Sequence, residues 1–305
     1  MKRFLKYFVI FTSPILLAAI CFEILLQCLP NDYRCKKQAL DAEAGKMELL
    51  FLGNSHIYYG IDPTYIHCKS YNAAYVSQSL DYDLAILQKY QNDLKNLNCI
   101  VLSVDYSSLY YTLEHSVESW RRKNYNLYYD IHQGFSIAEN SELLSNNFMV
   151  NLKRVYGYNV KGRNPIGATK LGWGSDYHAS ESKDLESSGK AAAKRHIQGK
   201  DQALFKENLE TIRQIVDFAD KRKIKVVFIT SPAYKTYTSH LEPHGFDNTV
   251  AAMSKLVKSK PNLQYFNFME DASFVKEDFY DGDHLNEIGA KKFSIKVDSL
   301  LCPKK

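Results

Sequence analysis

A parallel α/β sheet wrapped by helices is the fold class this sequence predicts, and three observations carry that prediction. Short apolar runs recur along the chain, and those at 49–52, 99–104 and 224–229 are closed by Gly53, Asp105 and Thr230. Between them lie longer stretches whose apolar residues are spaced three and four apart, the period of a helix buried on one face. The chain also has the mass for such a fold: 305 residues, 45% of them hydrophobic, suit one elaborated α/β domain once an N-terminal segment is set aside. Strands alternating with helices wind into a parallel sheet by right-handed crossovers, so a three-layer sandwich of about five parallel strands is expected.

The first element is apolar. Lys2, Arg3 and Lys6 precede a mostly apolar segment of 23 residues, Phe8 to Pro30. A bilayer span needs about 20 residues. Basic residues in front of it put the N-terminus in the cytoplasm and the rest of the chain outside. Residues 1–30 therefore read as a cytoplasmic tip and a single-pass anchor in the inner membrane. Glu23 interrupts the apolar run near its outer end, where it would snorkel or face a partner helix. The rival reading is a cleaved signal peptide. No small-x-small site follows the run, and Ile20 ahead of Cys21 argues against a lipoprotein site.

Residues 31–46 are polar and read as a short stalk; residues 47–305 form the α/β domain. Strand one is expected at Glu48–Leu52 and a short broken helix at 57–63. Strand two is expected at Ser70–Ala74, a helix at Ser79–Leu97 and strand three at Cys99–Val104. Residues 107–200 read as a tyrosine-rich insertion of helices and loops over the sheet's active edge, carrying both Trp120 and Trp173. Its aromatics either stack on sugar rings or simply pack. An amphipathic helix then runs from Gln202 to Lys223, followed by strand four at Ile224–Ile229, a helix at Asn248–Lys258 and strand five at Gln264–Phe268. A closing helix presents Ala290, Phe293, Val297 and Leu300 on one face.

The net charge of +5 is spread along the chain without a basic run, which excludes a nucleic-acid footprint. The candidate chemistry lies at two places. Gly53-Asn54-Ser55-His56 follows strand one, and ligands of open α/β sheets bind beyond the carboxyl ends of the strands. A serine there becomes a nucleophile only beside a base. Asp281 and His284, three residues apart before the last helix, offer one: the carboxylate orients the imidazole and the free ring nitrogen takes the hydroxyl proton. Ser55 also suits a plain helix cap, and Asp283 is an alternative partner for His284. His56 either lines the pocket or packs against the strand-two loop.

Backbone N–H groups of Ser55 and of the loop Ala74–Ser77 are the expected oxyanion donors. Asn54, His56, Asn72, Ser77 and Tyr234 complete the set of oxyanion or substrate-binding candidates. No metal and no cofactor are expected. His240 and His244 are four apart, but Pro243 is expected to break any helix there and no carboxylate motif accompanies them. Of the cysteines, Cys99 opens strand three and Cys302 follows the last helix, which places both at the sheet's lower edge and suggests a Cys99–Cys302 bridge.

The Gly-x-Ser turn after strand one, with Asp-x-x-His before the last helix, resembles the SGNH/GDSL hydrolases over roughly residues 45–105 and 220–301. The Gly-Asn-Ser-His variant behind a membrane segment is similar to the membrane-anchored branch, which includes the D-alanyl lipoteichoic acid transfer protein and the alginate-acetylation proteins. The resemblance implies a flavodoxin-like sandwich and a serine hydrolase or O-acyltransferase. It further implies action on a cell-envelope glycan or related acyl ester, with a possible membrane acyl-donor partner. Two positions depart from the family: the second loop has no glycine, and Asp105 stands where an asparagine would donate to the oxyanion. An ionised carboxylate cannot donate. That departure motivates an alternative, a non-catalytic glycan-binding or export-complex scaffold.

Overall fold

The computed structural model describes residues 1–134, 136–197 and 202–302. The strands are β1 Leu49–Leu52, β2 Ser70–Asn72, β3 Cys99–Ser103, β4 Lys225–Thr230 and β5 Leu263–Asn267. The helices are α1 Lys2–Cys28, α2 Asp32–Glu43, α3 Ser55–Gly60, α4 Leu80–Lys89, α5 Arg122–Asn124, α6 Glu142–Ser145, α7 Phe148–Asn159, α8 Leu185–Ile197, α9 Gln202–Lys221, α10 Lys235–Thr238, α11 Pro243–Val257 and α12 Glu287–Leu301. The chain divides into two compact units. One comprises Met1–Lys37 and Val117–Ile166, the other Gln38–Ser116 and Gly167–Lys305.

The larger unit holds a five-stranded, wholly parallel sheet in the order β2-β1-β3-β4-β5, the flavodoxin-like order. The order reverses between β1 and β3, so the crevice beyond the end of β1 is the switch point where α/β folds bind ligands. Every residue of β1 is buried, which is why it reads as an unbroken apolar run rather than an alternating one. Leu49, Phe51, Val101, Val227 and Ile229 share one core with Ile57 of α3 and with Phe293 and Val297 of α12. The intervening residues Leu50, Leu52, Ile100, Leu102, Val226 and Phe228 point to the opposite face and are fully buried too. On that side α9 packs on β4 and α4.

Four expectations need correction. The bridge joins Cys68 to Cys302, with a Cα–Cα separation of 6.0 Å, and Cys99 is a free thiol. Cys99 lies on a central strand, whereas the end of α12 lies beside the approach to β2, where His67 N–H donates to Asp298 at 2.7 Å. Residues 31–46 are not a bare stalk: α2 and a 3-10 turn occupy them. Tyr33, Lys36, Leu40 and Ala44 repeat at helical spacing and are buried, a pattern masked by the polar residues between them. The segment 107–200 is not one body: Val117–Ile166 belongs with α1, and the part from Gly167 on belongs with the sheet. Pro243 opens α11 at its first position rather than breaking it, a place where a missing N–H costs nothing.

The smaller unit contains α1, an apolar helix of 27 residues, long and apolar enough to cross a membrane. Glu23, the one acidic interruption, is satisfied within this unit. Its carboxylate accepts the N–H groups of Glu142 and Leu143 and the Ser141 hydroxyl, each at 2.8 Å. Behind α6, fully buried Glu142 receives Lys123 Nζ at 2.5 Å, the Tyr128 hydroxyl at 2.5 Å and Arg154 at 2.6 Å. This ring of donors outweighs the desolvation of Glu142 and holds its carboxyl down at about 2.

Candidate active site

β1 stops at Gly53, whose φ of +127° is a backbone state side chains rarely adopt; a Cβ there would also run into Ser103 on β3. Buried Asp83 of α4 fixes the turn from below, accepting Gly53 N–H at 2.8 Å and the Gln78 amide at 2.6 Å. Burial pushes Asp83 up to about 7 against the help of those two donors. Asn54 caps α3 by accepting His56 N–H at 3.0 Å, and Ser55 is the first residue of the helix.

The second half of the site arrives from the loop before α12. Asp281 Oδ1 accepts the N–H of His284 and also faces its Nδ1, both at 2.9 Å, which turns Nε2 outward. Nε2 lies 2.8 Å from Ser55 Oγ, although 229 residues separate them. Asp283 Oδ1 stands farther from the same Nδ1, at 3.5 Å, so of the two candidate carboxylates Asp281 is the nearer. The loop is held down by a close backbone approach: a Cβ on Gly282 would overlap the backbone of Gly189 in α8. His284 is walled by three stacked tyrosines: Tyr177 lies 3.7 Å from Tyr59 and 3.8 Å from Tyr280, ring centre to ring centre. The imidazole meets Tyr59 and Tyr177 edge-on at 5.8 Å and 5.6 Å.

Under this layer lies a second, wholly buried one. His56 sits between two carboxylates, Nδ1 3.0 Å from Asp105 Oδ2 and Nε2 3.6 Å from Asp283 Oδ2. Neither ring nitrogen has the alignment of a good hydrogen bond, so these are charge contacts. Burial alone would depress His56; the charge of Asp105 and then Asp283 overrides it and holds the imidazole up at about 10. Asp105 and Asp283 are correspondingly held below the ordinary carboxylate range, desolvation being outweighed by the histidines. Asp105 also accepts Ser231 N–H at 3.0 Å and the Ser103 hydroxyl. Nearby His196 is pushed the other way, down to about 4, first by burial. Its Nδ1 lies 2.7 Å from the Tyr237 hydroxyl.

The cleft beside Ser55 offers about 130 Å³, and most of the residues that line it are polar, among them Asn54, Ser77, Ser107, Tyr110 and Arg195. Ser77 occupies the left-handed region at φ +59°, so the glycine-poor loop makes its turn with a serine. Its carbonyl accepts the Tyr111 hydroxyl at 3.1 Å.

Of the residues singled out from the sequence, Ser55, His284, Asp281, Asn54, His56 and Ser77 converge here. Asn72 and Tyr234 do not. Asn72 is fully buried and staples α3 to β2, donating to the carbonyls of Ile57 and Ile61 at 2.8 Å and accepting Ala74 N–H at 3.1 Å. A short polar side chain at the end of a strand serves a turn as readily as a ligand. Tyr234, half-buried, packs edge-on against Phe279 of the core at 5.5 Å. Asp83, His196 and Tyr177 were not singled out. Asp83 resembles any acid in a helix's first turn, and His196 and Tyr177 come from the insertion, whose course the sequence does not reveal.

No family model matches the chain, and no curated protein does. Among solved structures the chain is similar to a protein from Streptococcus pneumonia provisionally assigned as a platelet activating factor. The identity is 11% and the TM-score 0.45, over 96% of this chain and 99% of that one. It is also similar to a provisionally assigned acylhydrolase from Bacteroides fragilis, at 11% identity and a TM-score of 0.39, over 88% and 95% of the two chains.

Proposed function

We propose that the protein is a serine esterase or O-acyltransferase of SGNH type, with Ser55 as nucleophile, His284 as general base and acid, and Asp281 as the group that orients His284. One observation carries this reading: the unbroken relay from Asp281 through His284 to Ser55, at 2.9 Å and 2.8 Å. Ser55 Oγ attacks the carbonyl carbon of an acyl ester while its proton passes to His284 Nε2. The tetrahedral intermediate then expels the alcohol, which takes that proton back. Water or a second hydroxyl, deprotonated by the same nitrogen, attacks the acyl-enzyme and releases an acid or a new ester. Asp281 and Asp283, both facing Nδ1, stabilise the imidazolium as it forms. The N–H of Ser55 and the loop around Ser77 supply the oxyanion donors.

Asp105 does not weigh against catalysis, because its charge is committed to His56. A cleft this small, with hydroxyl, amide and guanidinium groups among its lining, suits a short acyl group on a polar alcohol, and a cell-envelope glycan meets that description. The Cys68–Cys302 bridge fits an oxidising compartment, in keeping with a domain held outside the inner membrane by α1, where a membrane acyl donor could load it. Turnover of p-nitrophenyl acetate by the purified full chain tests the reading. Ser55→Ala and His284→Ala are expected to lose at least about 10³-fold. Wild-type turnover that survives Ser55→Ala unchanged would overturn it.

A further inference from the structure

The smaller unit is built with its polarity reversed along α7. Phe148, Met149, Leu152 and Tyr156 fall on a stripe about 100° wide and are 57%, 55%, 42% and 50% exposed. The side chains that the helix turns inward are polar, although Val150, away from the stripe, is 49% exposed as well. Fully buried Asn151 donates to the Glu142 carbonyl at 2.9 Å, and Arg154 pairs with the Glu142 carboxylate. A helix packed for water alone buries the other face. Putting charge inside and aromatic and aliphatic side chains outside suits an apolar solvent.

We infer that this face of α7 rests in the outer boundary of a lipid bilayer, beside the span made by α1. The inference rests on reading α1 as the anchor. Continuity with α1 identifies the occupant. The ring of Phe148 lies 5.6 Å from that of Phe22, one residue before Glu23, which caps α6. From Lys6, the last of the basic residues, to Phe22 an α-helix rises about 24 Å, most of the roughly 30 Å of the hydrocarbon layer. With the basic residues at one boundary, Phe22 stands within about two turns of the other, and α7 begins at that depth. Tyr156 and Lys161, whose Nζ lies 5.7 Å from the Tyr156 ring, supply the aromatic and cationic groups that settle among headgroups.

The test uses the full chain in phosphatidylcholine–phosphatidylglycerol vesicles, with Cys21, Cys28, Cys35 and Cys99 changed to Ala. Nitroxide labels are placed one at a time through Phe148→Cys, Leu152→Cys, Lys153→Cys and Ile20→Cys, and collision with oxygen is compared with collision with a water-soluble nickel chelate. Labels at 148 and 152 are expected to favour oxygen, as at 20, while 153 favours the chelate. Chelate access at 148 and 152 with oxygen preference at 20 overturns the inference and leaves the anchor standing. Shielding of 148 and 152 from both reagents overturns it in favour of a covering protein. Chelate access at 20 removes the anchor itself, and this inference with it.

Discussion

Asp105 faces His56 rather than the cleft, its Oδ2 3.0 Å from the imidazole Nδ1, with both side chains almost completely buried. The residue after Ser55 in sequence is thus one half of a buried ion pair whose other half lies two residues beyond β3. Breaking such a pair leaves an uncompensated charge, at a cost of about 3–5 kcal/mol. Asp105→Ala is expected to lower stability by that order. His56→Phe, which strands both Asp105 and Asp283, is expected to do the same. Denaturant titration of the purified variants checks this; a loss below about 1 kcal/mol for either would mean the pair carries no charge.

The same pair sets an alkaline limit. His56 is held at about 10, above the ordinary histidine value of 6.5. Its contribution to stability is therefore complete below the unfolded value and disappears as pH rises through about 10. On the acid side the signs reverse: Asp105 and Asp283 are depressed, so their contribution is present above their ordinary range and is lost as pH falls through their folded values. Thermal melts between pH 7 and 10 should show a steady decline that His56→Gln flattens. A wild-type decline that His56→Gln leaves unaltered would assign the alkaline loss to other groups.

Gly53 is the residue on which the turn depends most sharply. Its φ of +127° and the approach of Ser103 leave no room for a methyl group. Gly53→Ala is expected to displace Ser55 from His284, lowering ester turnover by two orders of magnitude or about that, even in chains that fold. Circular dichroism separates that outcome from unfolding, and full activity in a folded variant would contradict the strained-turn account.

The Cys68–Cys302 bridge closes a separation of 234 residues. Loops of that length give a disulfide stabilisation of about 2–5 kcal/mol. Cys68→Ala or Cys302→Ala should therefore lower the melting temperature by several degrees, about as much as reduction of the wild type, and Cys99→Ala should not. Peptide mapping under non-reducing conditions that pairs Cys99 would refute the assignment.

The strand-and-turn logic of the site was legible because its cues are local: an apolar run ended by glycine, a serine, and a carboxylate three residues ahead of a histidine. The parallel sheet followed from alternation alone. What stayed hidden was pairing across distance. Nothing in the spacing tells that Asp105 belongs to His56, so its departure from the family pattern read as a missing donor. Asn72 had the right address at a strand end, yet it turns inward to hold α3. The helix α2 was lost under its polar residues, and α7 hides its meaning because its apolar stripe faces outward, away from the protein core that periodicity assumes.

Reaction of the full chain with a fluorophosphonate, followed by intact mass and peptide mapping, addresses the Ser55–His284 relay most directly. One phosphonyl group is expected, on the peptide containing Ser55, absent from Ser55→Ala and strongly slowed in His284→Ala. No adduct on the wild type, or one that persists in Ser55→Ala, would contradict the account.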